Sequence, residues 1–262
     1  MSRTGAEQNQ PDAKQANLQA LNRRNILRAA AAIGGAILAP GVTLHLFGGE
    51  AEARPPDEAV SDMQRWGMLI DTGKCGDGCQ ECVTACADEN GWDQEAYGPT
   101  DAQWIRKVEL RDKRTGKRQE LPMMCQHCAS PPCVDVCPTG ASFKRADGIV
   151  LVDKHTCIGC RYCVLACPFN ARSFVHEPLR DQKAHAPRGK GTVESCTLCV
   201  HRIDVGGQPA CVERCNDAAG GAMLFGDLND PESEISKRVT RYATTRIRDD
   251  LGLDAGVYYS NI

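Results

Sequence analysis

Aromatic side chains are scarce: five Phe, five Tyr and three Trp make up 5% of the 262 residues. Rings dominate the burial energetics of most cores, so much of this interior has to be filled by something else. A basic excess is missing too. With 31 Lys and Arg against 34 Asp and Glu, the net charge of -3 argues against a nucleic-acid partner. No paired acid and base stands out, so the chain offers no evident chemistry of bond breaking. What it does contain is sixteen cysteines.

The cysteines fall into four groups of four: Cys75/Cys79/Cys82/Cys86, Cys125/Cys128/Cys133/Cys137, Cys157/Cys160/Cys163/Cys167 and Cys196/Cys199/Cys211/Cys215. The third group, Cys157-Ile-Gly-Cys160-Arg-Tyr-Cys163-Val-Leu-Ala-Cys167-Pro168, is the bacterial ferredoxin run. In that run three close thiolates hold one [4Fe-4S] cube and the fourth, followed by proline, serves a neighbouring cube. Zinc also takes four thiolates, but the close third cysteine of groups one and three, and the proline after Cys137 and Cys167, favour iron-sulfur. Disulfides suit an exported chain with an even cysteine count, yet triplets spaced by two residues suit a cube better. Sixteen thiols match the sixteen corners of four [4Fe-4S] clusters, which leaves no open ligand position for a substrate. Because such sites rarely exist before the metal arrives, ligation should carry folding energy.

A C-x2-C-x2-C loop readily wraps three corners of a cube, so the fourth thiolate comes from elsewhere. Groups two and three both end in Cys-Pro and form a natural pair. One cube is then expected on Cys125, Cys128, Cys133 and Cys167, and another on Cys157, Cys160, Cys163 and Cys137. The remaining groups exchange in the same way: Cys75, Cys79 and Cys82 with Cys215, and Cys196, Cys199 and Cys211 with Cys86. Group one has an extra residue in its first gap, which Gly76 and Gly78 can absorb. Group four has eleven residues between Cys199 and Cys211, and Asn216 in place of proline. A cube of altered shape or a [3Fe-4S] centre stays open for this outer pair, although a full set of cysteines argues against the latter.

The first 53 residues differ in kind. Asn22-Arg23-Arg24-Asn25-Ile26-Leu27-Arg28 precedes Ala29 to Gly49, a stretch without Asp, Glu, Lys or Arg, and then Ala51-Glu52-Ala53, a small-x-small processing site. This is the layout of a twin-arginine export signal. An uncleaved anchor is the alternative, since 21 residues just span a bilayer. Either outcome places the remainder outside the cytoplasm, in the periplasm.

Residues 54–230 are expected to form the four-cluster core and 231–262 a C-terminal extension, a helix packed on that core, with docking of a partner as the competing use. Trp66 to Asp71 reads as a strand. Asp101 to Leu110 with Gln119 to Met124 reads as a β-hairpin, and Ala141 to Asp153, with Asp147-Gly148 at the bend, as a second. Short helical turns at Val83 to Cys86 and Val164 to Cys167 would aim each fourth thiolate away from its own loop. Lys237 to Arg248 is basic and amphipathic, with imperfect helical spacing of Val239, Tyr242 and Ile247. The fold class is α+β: tandem ferredoxin-like cluster-binding modules with inserted β-hairpins. His127, His155, His176 and His201 lie near the cysteines and are expected to serve hydrogen bonding or the surface, with tuning of potential as the sharper option. Lys144, Arg145, Arg161 and Arg172 either offset cube charge or are solvated, and spacing does not decide which.

Three stretches carry a family likeness: Cys125-Gln-His-Cys128 with Pro131-Pro132-Cys133 to Cys137-Pro-Thr-Gly140, Cys157 to Pro168, and Cys196-Thr-Leu-Cys199 with Pro209-Ala-Cys211. They resemble the four-cluster ferredoxin subunits of the dimethyl-sulfoxide-reductase-type membrane oxidoreductases over residues 64–230, and that family's cluster pairing agrees with the one above. Within the family, the leader, Cys75-Gly-Asp-Gly-Cys79, Gly140 to Asp153 and Phe225 to Asp230 are most similar to the DsrO branch, the periplasmic iron-sulfur subunits of DsrMKJOP complexes. The resemblance implies an electron-transfer subunit that works with an integral membrane NrfD-like quinone-interacting partner and with a haem subunit. Related polysulfide, tetrathionate or nitrite systems share most of the cysteine pattern. A self-contained oxidoreductase, or cubes serving only as staples, are the competing readings.

Overall fold

A computed structural model of the chain describes residues 59–93, 101–180 and 182–262. The export segment with its processing site at 51–53, and the proposed boundary at residue 54, lie outside the described residues.

Strand β1 (Trp66–Asp71) carries Met68, Leu69 and Ile70, all buried, and so needs neighbours on both edges. It gets them from the far end of the chain. The helices α1 (Glu81–Asn90), α2 (Pro132–Asp135), α3 (Tyr162–Ala166), α4 (Val200–Ile203), α5 (Ala210–Ala218) and α6 (Glu234–Arg241) are interleaved with the strands β2 (Ile105–Arg111), β3 (Arg118–Met124), β4 (Ser142–Lys144), β5 (Val150–Val152), β6 (Ser173–Phe174), β7 (Val193–Glu194), β8 (Met223–Asp227), β9 (Thr244–Thr245) and β10 (Val257–Ser260). The main sheet runs β8-β1-β10-β9, with β1 antiparallel to β8 and parallel to β10. Met68 sits opposite Phe225 on one side and Val257 on the other. A glycine is required at position 67, where an added Cβ would lie 2.4 Å from Leu228 Cδ1 and 2.7 Å from the Gly256 carbonyl.

The three remaining sheets are two-stranded hairpins. β2 with β3 and β4 with β5 are the two expected inserts, with registers Ile105 to Met124 and Ser142 to Val152. Asp147 and Gly148 make the second bend, with Gly148 at φ 87°. The third, β6 with β7, pairs Ser173 with Glu194 and carries no turn signal in the sequence, because eighteen residues separate its strands. The helices pack in two pairs, α1 on α5 and α2 on α3. The first pair joins cysteine groups one and four, and the second joins groups two and three.

The tail does more than extend the core. β10 is an interior strand of the main sheet, and Tyr259 is fully buried, its hydroxyl donating to the Pro122 carbonyl at 3.1 Å. The helix expected over Lys237 to Arg248 begins earlier and ends sooner. Ser233 caps it by accepting from the Ser236 N–H, and Ile235 is the residue it buries. Tyr242 is already extended and exposed, because Thr244, Thr245 and Ile247 favour strand over helix. Among the described residues no helix is long and apolar enough to cross a membrane.

Candidate functional site

All sixteen cysteines carry free thiols, and they converge into four sets that cross the sequence groups. Cys86, Cys196, Cys199 and Cys211 line one hollow. Cys125, Cys128, Cys133 and Cys167 line another, and Cys137, Cys157, Cys160 and Cys163 a third. In the fourth set, the charge of the Cys82 thiol is felt against Cys75, Cys215 and Cys79 together. In each set three sulfurs come from one loop or its flank, and the last from the partner group.

The spacing of the sulfurs tests which metal would fit. A single tetrahedral zinc with Zn–S bonds of about 2.3 Å would draw its sulfurs to about 3.8 Å from one another. Among the described residues, no three thiols have their sulfurs mutually within 4.8 Å. The sets are too open for one ion and suit a multi-iron cube, whose corners stand further apart.

The loops wrap because they place residues in the left-handed region at the right points. His127 (φ 42°), Arg161 (φ 63°), Leu198 (φ 56°) and Cys199 (φ 51°) lie in or at the end of C-x2-C loops, as does Gly159 (φ 72°). For the non-glycine residues this conformation costs about 1–2 kcal/mol each. At Gly159 a Cβ would fall 2.2 Å from the Gly191 carbonyl oxygen, a collision with backbone. Around the sulfurs, N–H groups converge. Ser142 donates to Cys137 (3.3 Å), Leu198 to Cys196 (3.4 Å), Val193 to Cys157 (3.5 Å) and Ala171 to Cys167 (3.5 Å). Trp92 Nε1 donates to Cys86 at 3.4 Å, and Lys107 Nζ approaches Cys75 Sγ at 3.4 Å. Such donors stabilise negative charge on sulfur and so favour the reduced state of a cluster.

Burial pushes the thiols of Cys82, Cys86, Cys125 and Cys128 up to about 12, and Cys196 and Cys211 well above their ordinary value. A bare thiolate is therefore disfavoured inside these hollows, and metal loading has to release protons. Cys137 goes the other way. Burial opposes its thiolate, but hydrogen bonds from Ser142, Thr139 and Ala141 outweigh it.

The sets stand in a row. Cys211 of the Cys86 set senses Cys82, Cys196 of the same set senses Cys125, and Cys133 senses Cys163. The order is thus Cys75 set, Cys86 set, Cys125 set, Cys157 set. Every cysteine of the Cys125 set is buried, whereas Cys160 at one end is exposed, and Cys75 and Cys79 at the other are partly so. Beside Cys160 the surface is apolar: Ile158, Tyr162 and Leu165 are 68%, 60% and 83% exposed.

The histidines mostly serve structure. His127 Nδ1 accepts from the Val150 N–H at 3.0 Å, and burial, aided by Arg172, pushes the ring down to about 3, so it stays neutral. His176 packs edge-on to Phe174, and His155 is exposed. His201 Nε2 donates to Glu89 Oε1 at 2.7 Å, and the ring stacks on His185. Glu89, His185 and His201 bring three ligand atoms within 4.8 Å. Both Glu89 oxygens are already taken by Arg202, at 2.8 and 2.7 Å, which pushes the carboxyl down to about 2. This is an ion-pair lock between α1 and α4 rather than a cation site. Nothing in the residue pattern signals it, nor the buried Arg188–Glu194 pair at 2.7 Å, because the partners are not at helical spacing.

A pattern describing a 4Fe-4S dicluster domain matches residues 117–228, and a second such pattern matches residues 62–141. The chain is similar to the Hdr-like menaquinol oxidoreductase iron-sulfur subunit 1 of Archaeoglobus fulgidus, 39% identical over 92% of this chain and 97% of that one. It is similar to a subunit of the tetrathionate reductase of Salmonella typhimurium, 39% identical over 78% of this chain and 76% of that one. Protein NrfC of Escherichia coli is 37% identical over 74% of this chain and 79% of its own.

Proposed function

The chain belongs to the four-cluster iron-sulfur subunits of the dimethyl-sulfoxide-reductase-type oxidoreductases, and on that premise we propose that it is the wire of a quinol-linked respiratory complex, its four [4Fe-4S] clusters held by the four crossed cysteine sets. The observation that carries this reading is the row itself: four tetrathiol sets in linear order, enclosed in the middle and reaching the surface at both ends. Each bound cube exchanges one electron with little rearrangement. The residues around it supply thiolates, N–H donors and a water-poor interior. A wire needs nothing more, and no substrate pocket is required.

The Cys157 end, with its apolar rim of Ile158, Tyr162 and Leu165, is the face for an integral membrane quinone-interacting partner of NrfD type. The Cys75 end faces the other redox subunits. Relatives named for tetrathionate reduction and as NrfC favour one of these related reductase systems. A second reading, a DsrMKJOP-like complex with a haem subunit, is supported by the stretches Cys75 to Cys79, Gly140 to Asp153 and Phe225 to Asp230. The twin-arginine segment supports export to the periplasm for both.

Iron and acid-labile sulfide on anaerobically purified protein, with a redox titration followed by EPR, test the wire. About sixteen of each, with four interacting one-electron centres, is expected. About eight irons after complete assembly would remove the outer pair of clusters.

A further inference from the structure

Four basic residues lie beside the cysteine groups, and the structure gives them different fates. Lys144 is exposed and donates to the Ala129 carbonyl at 2.6 Å. Arg145 is paired with Asp204 at 2.7 Å and Asp147 at 3.0 Å. Arg161 is exposed and lies over the Phe174 ring at 5.1 Å. Arg172 alone is buried, 5% exposed, and its Nε, Nη1 and Nη2 all lack a hydrogen-bond partner. It lines the same hollow as Cys125, Cys128, Cys133 and Cys167.

A guanidinium taken out of water without hydrogen bonds costs several kcal/mol unless something negative compensates it. What surrounds Arg172 is sulfur. Burial works against its cation, but Cys133, Cys125 and Cys163 more than offset this and leave its basicity raised. Cys163 and Cys133 stand close enough to contribute weakly as acceptors as well as by charge, although no hydrogen bond of normal geometry forms. Two of those thiols belong to the Cys125 set, and Cys163 belongs to the Cys157 set. The side chain therefore stands at the junction of the third and fourth positions in the row. With ionised, iron-bound thiolates and sulfide on both sides, the three orphaned nitrogens would have the acceptors they otherwise lack.

We propose that Arg172 is a shared counter-cation for two neighbouring clusters, raising both reduction potentials at once. This rests on the wire reading above. Each of the two cubes gains negative charge when it takes its electron, and a fixed positive charge between them favours that state in both. Because one charge serves two centres, the last two steps of the row are tuned together, and the first two independently of it.

The test is the redox titration of the full chain carrying Arg172→Met and, separately, Arg172→Lys, with iron content measured on each. In Arg172→Met, two of the four one-electron waves are expected to move to lower potential by at least tenfold in their oxidised-to-reduced equilibrium, which is about 59 mV for one electron. The other two waves stay in place, and Arg172→Lys restores most of the shift. No shift, a shift of one wave only, or an equal shift of all four would overturn the proposal. If Arg172→Met loses iron, Arg172→Gln, which keeps polar contacts to sulfur without the charge, takes its place in the titration, and the same two-wave shift is required of it. Loss of iron from both variants would make Arg172 a packing residue and overturn it. Fewer than about sixteen irons in the unaltered protein would defeat the wire itself, a failure separable from that of Arg172.

Discussion

At the scale of single residues, the cluster loops depend on backbone conformations that few side chains accept. Gly159 combines φ 72° with a backbone neighbour, the Gly191 carbonyl, that would sit 2.2 Å from an added Cβ. Gly191→Ala meets open space at φ 84° and carries only the conformational cost of about 1–2 kcal/mol. Gly159→Ala is therefore expected to lose the Cys157-set cluster, dropping from about sixteen to about twelve irons, while Gly191→Ala retains all of them. Equal iron in the two variants, measured on the same preparation, would show that the close approach is not needed. The four groups of cysteines are readable in the sequence itself. The residues around them are less so. Arg172, Arg145 and Lys144 look alike in a sequence, and only burial, a long-range property, separates the unpaired one from the ion-paired one.

At the scale of elements, the hairpins and the first strand are legible because each is a local affair. Asp147-Gly148 makes its own bend, and the apolar run at Met68 to Ile70 can only be an interior strand. β6 with β7 is not, since its strands of two residues leave no period to read. The helix near the C-terminus departs from its sequence pattern for a related reason. A stripe of Val239, Tyr242 and Ile247 suggests a longer helix, yet Ile235 is the residue buried and β-branched Thr244 and Thr245 end it. α3 is a short helix with one buried and one exposed side: Cys163 is buried, while Leu165 is 83% exposed. Leu165→Asp is expected to leave iron content and all four potentials unchanged. Its rate of electron exchange with membranes containing the quinone-interacting partner should fall at least tenfold, because a carboxylate in an apolar contact must be desolvated. An unchanged rate would move the docking face elsewhere.

For the whole molecule, ten of the sixteen thiols are buried, and cysteines lie throughout the main core beside Ile70, Trp104, Leu121 and Tyr259. Aromatic scarcity and metal content are two sides of one arrangement: the clusters stand where larger side chains would otherwise fill space. Removing iron with a chelator under reducing conditions should therefore abolish the near-ultraviolet circular dichroism and open the chain to proteases, since metal binding and folding are linked. A metal-free chain that kept native dichroism and protease resistance would show that side-chain packing suffices. The local locks, Glu89 with Arg202 and Arg188 with Glu194, tie segments around the clusters and cannot replace them.

β1 finds both of its partners late, β8 at Met223–Asp227 and β10 at Val257–Ser260. A nascent chain that has emerged from the ribosome as far as Cys215 already holds all sixteen thiols, yet β1 has no strand to pair with. Cofactor delivery can then act on an open chain, and closing of the sheet becomes a checkpoint passed only once β8 and β10 have both been made.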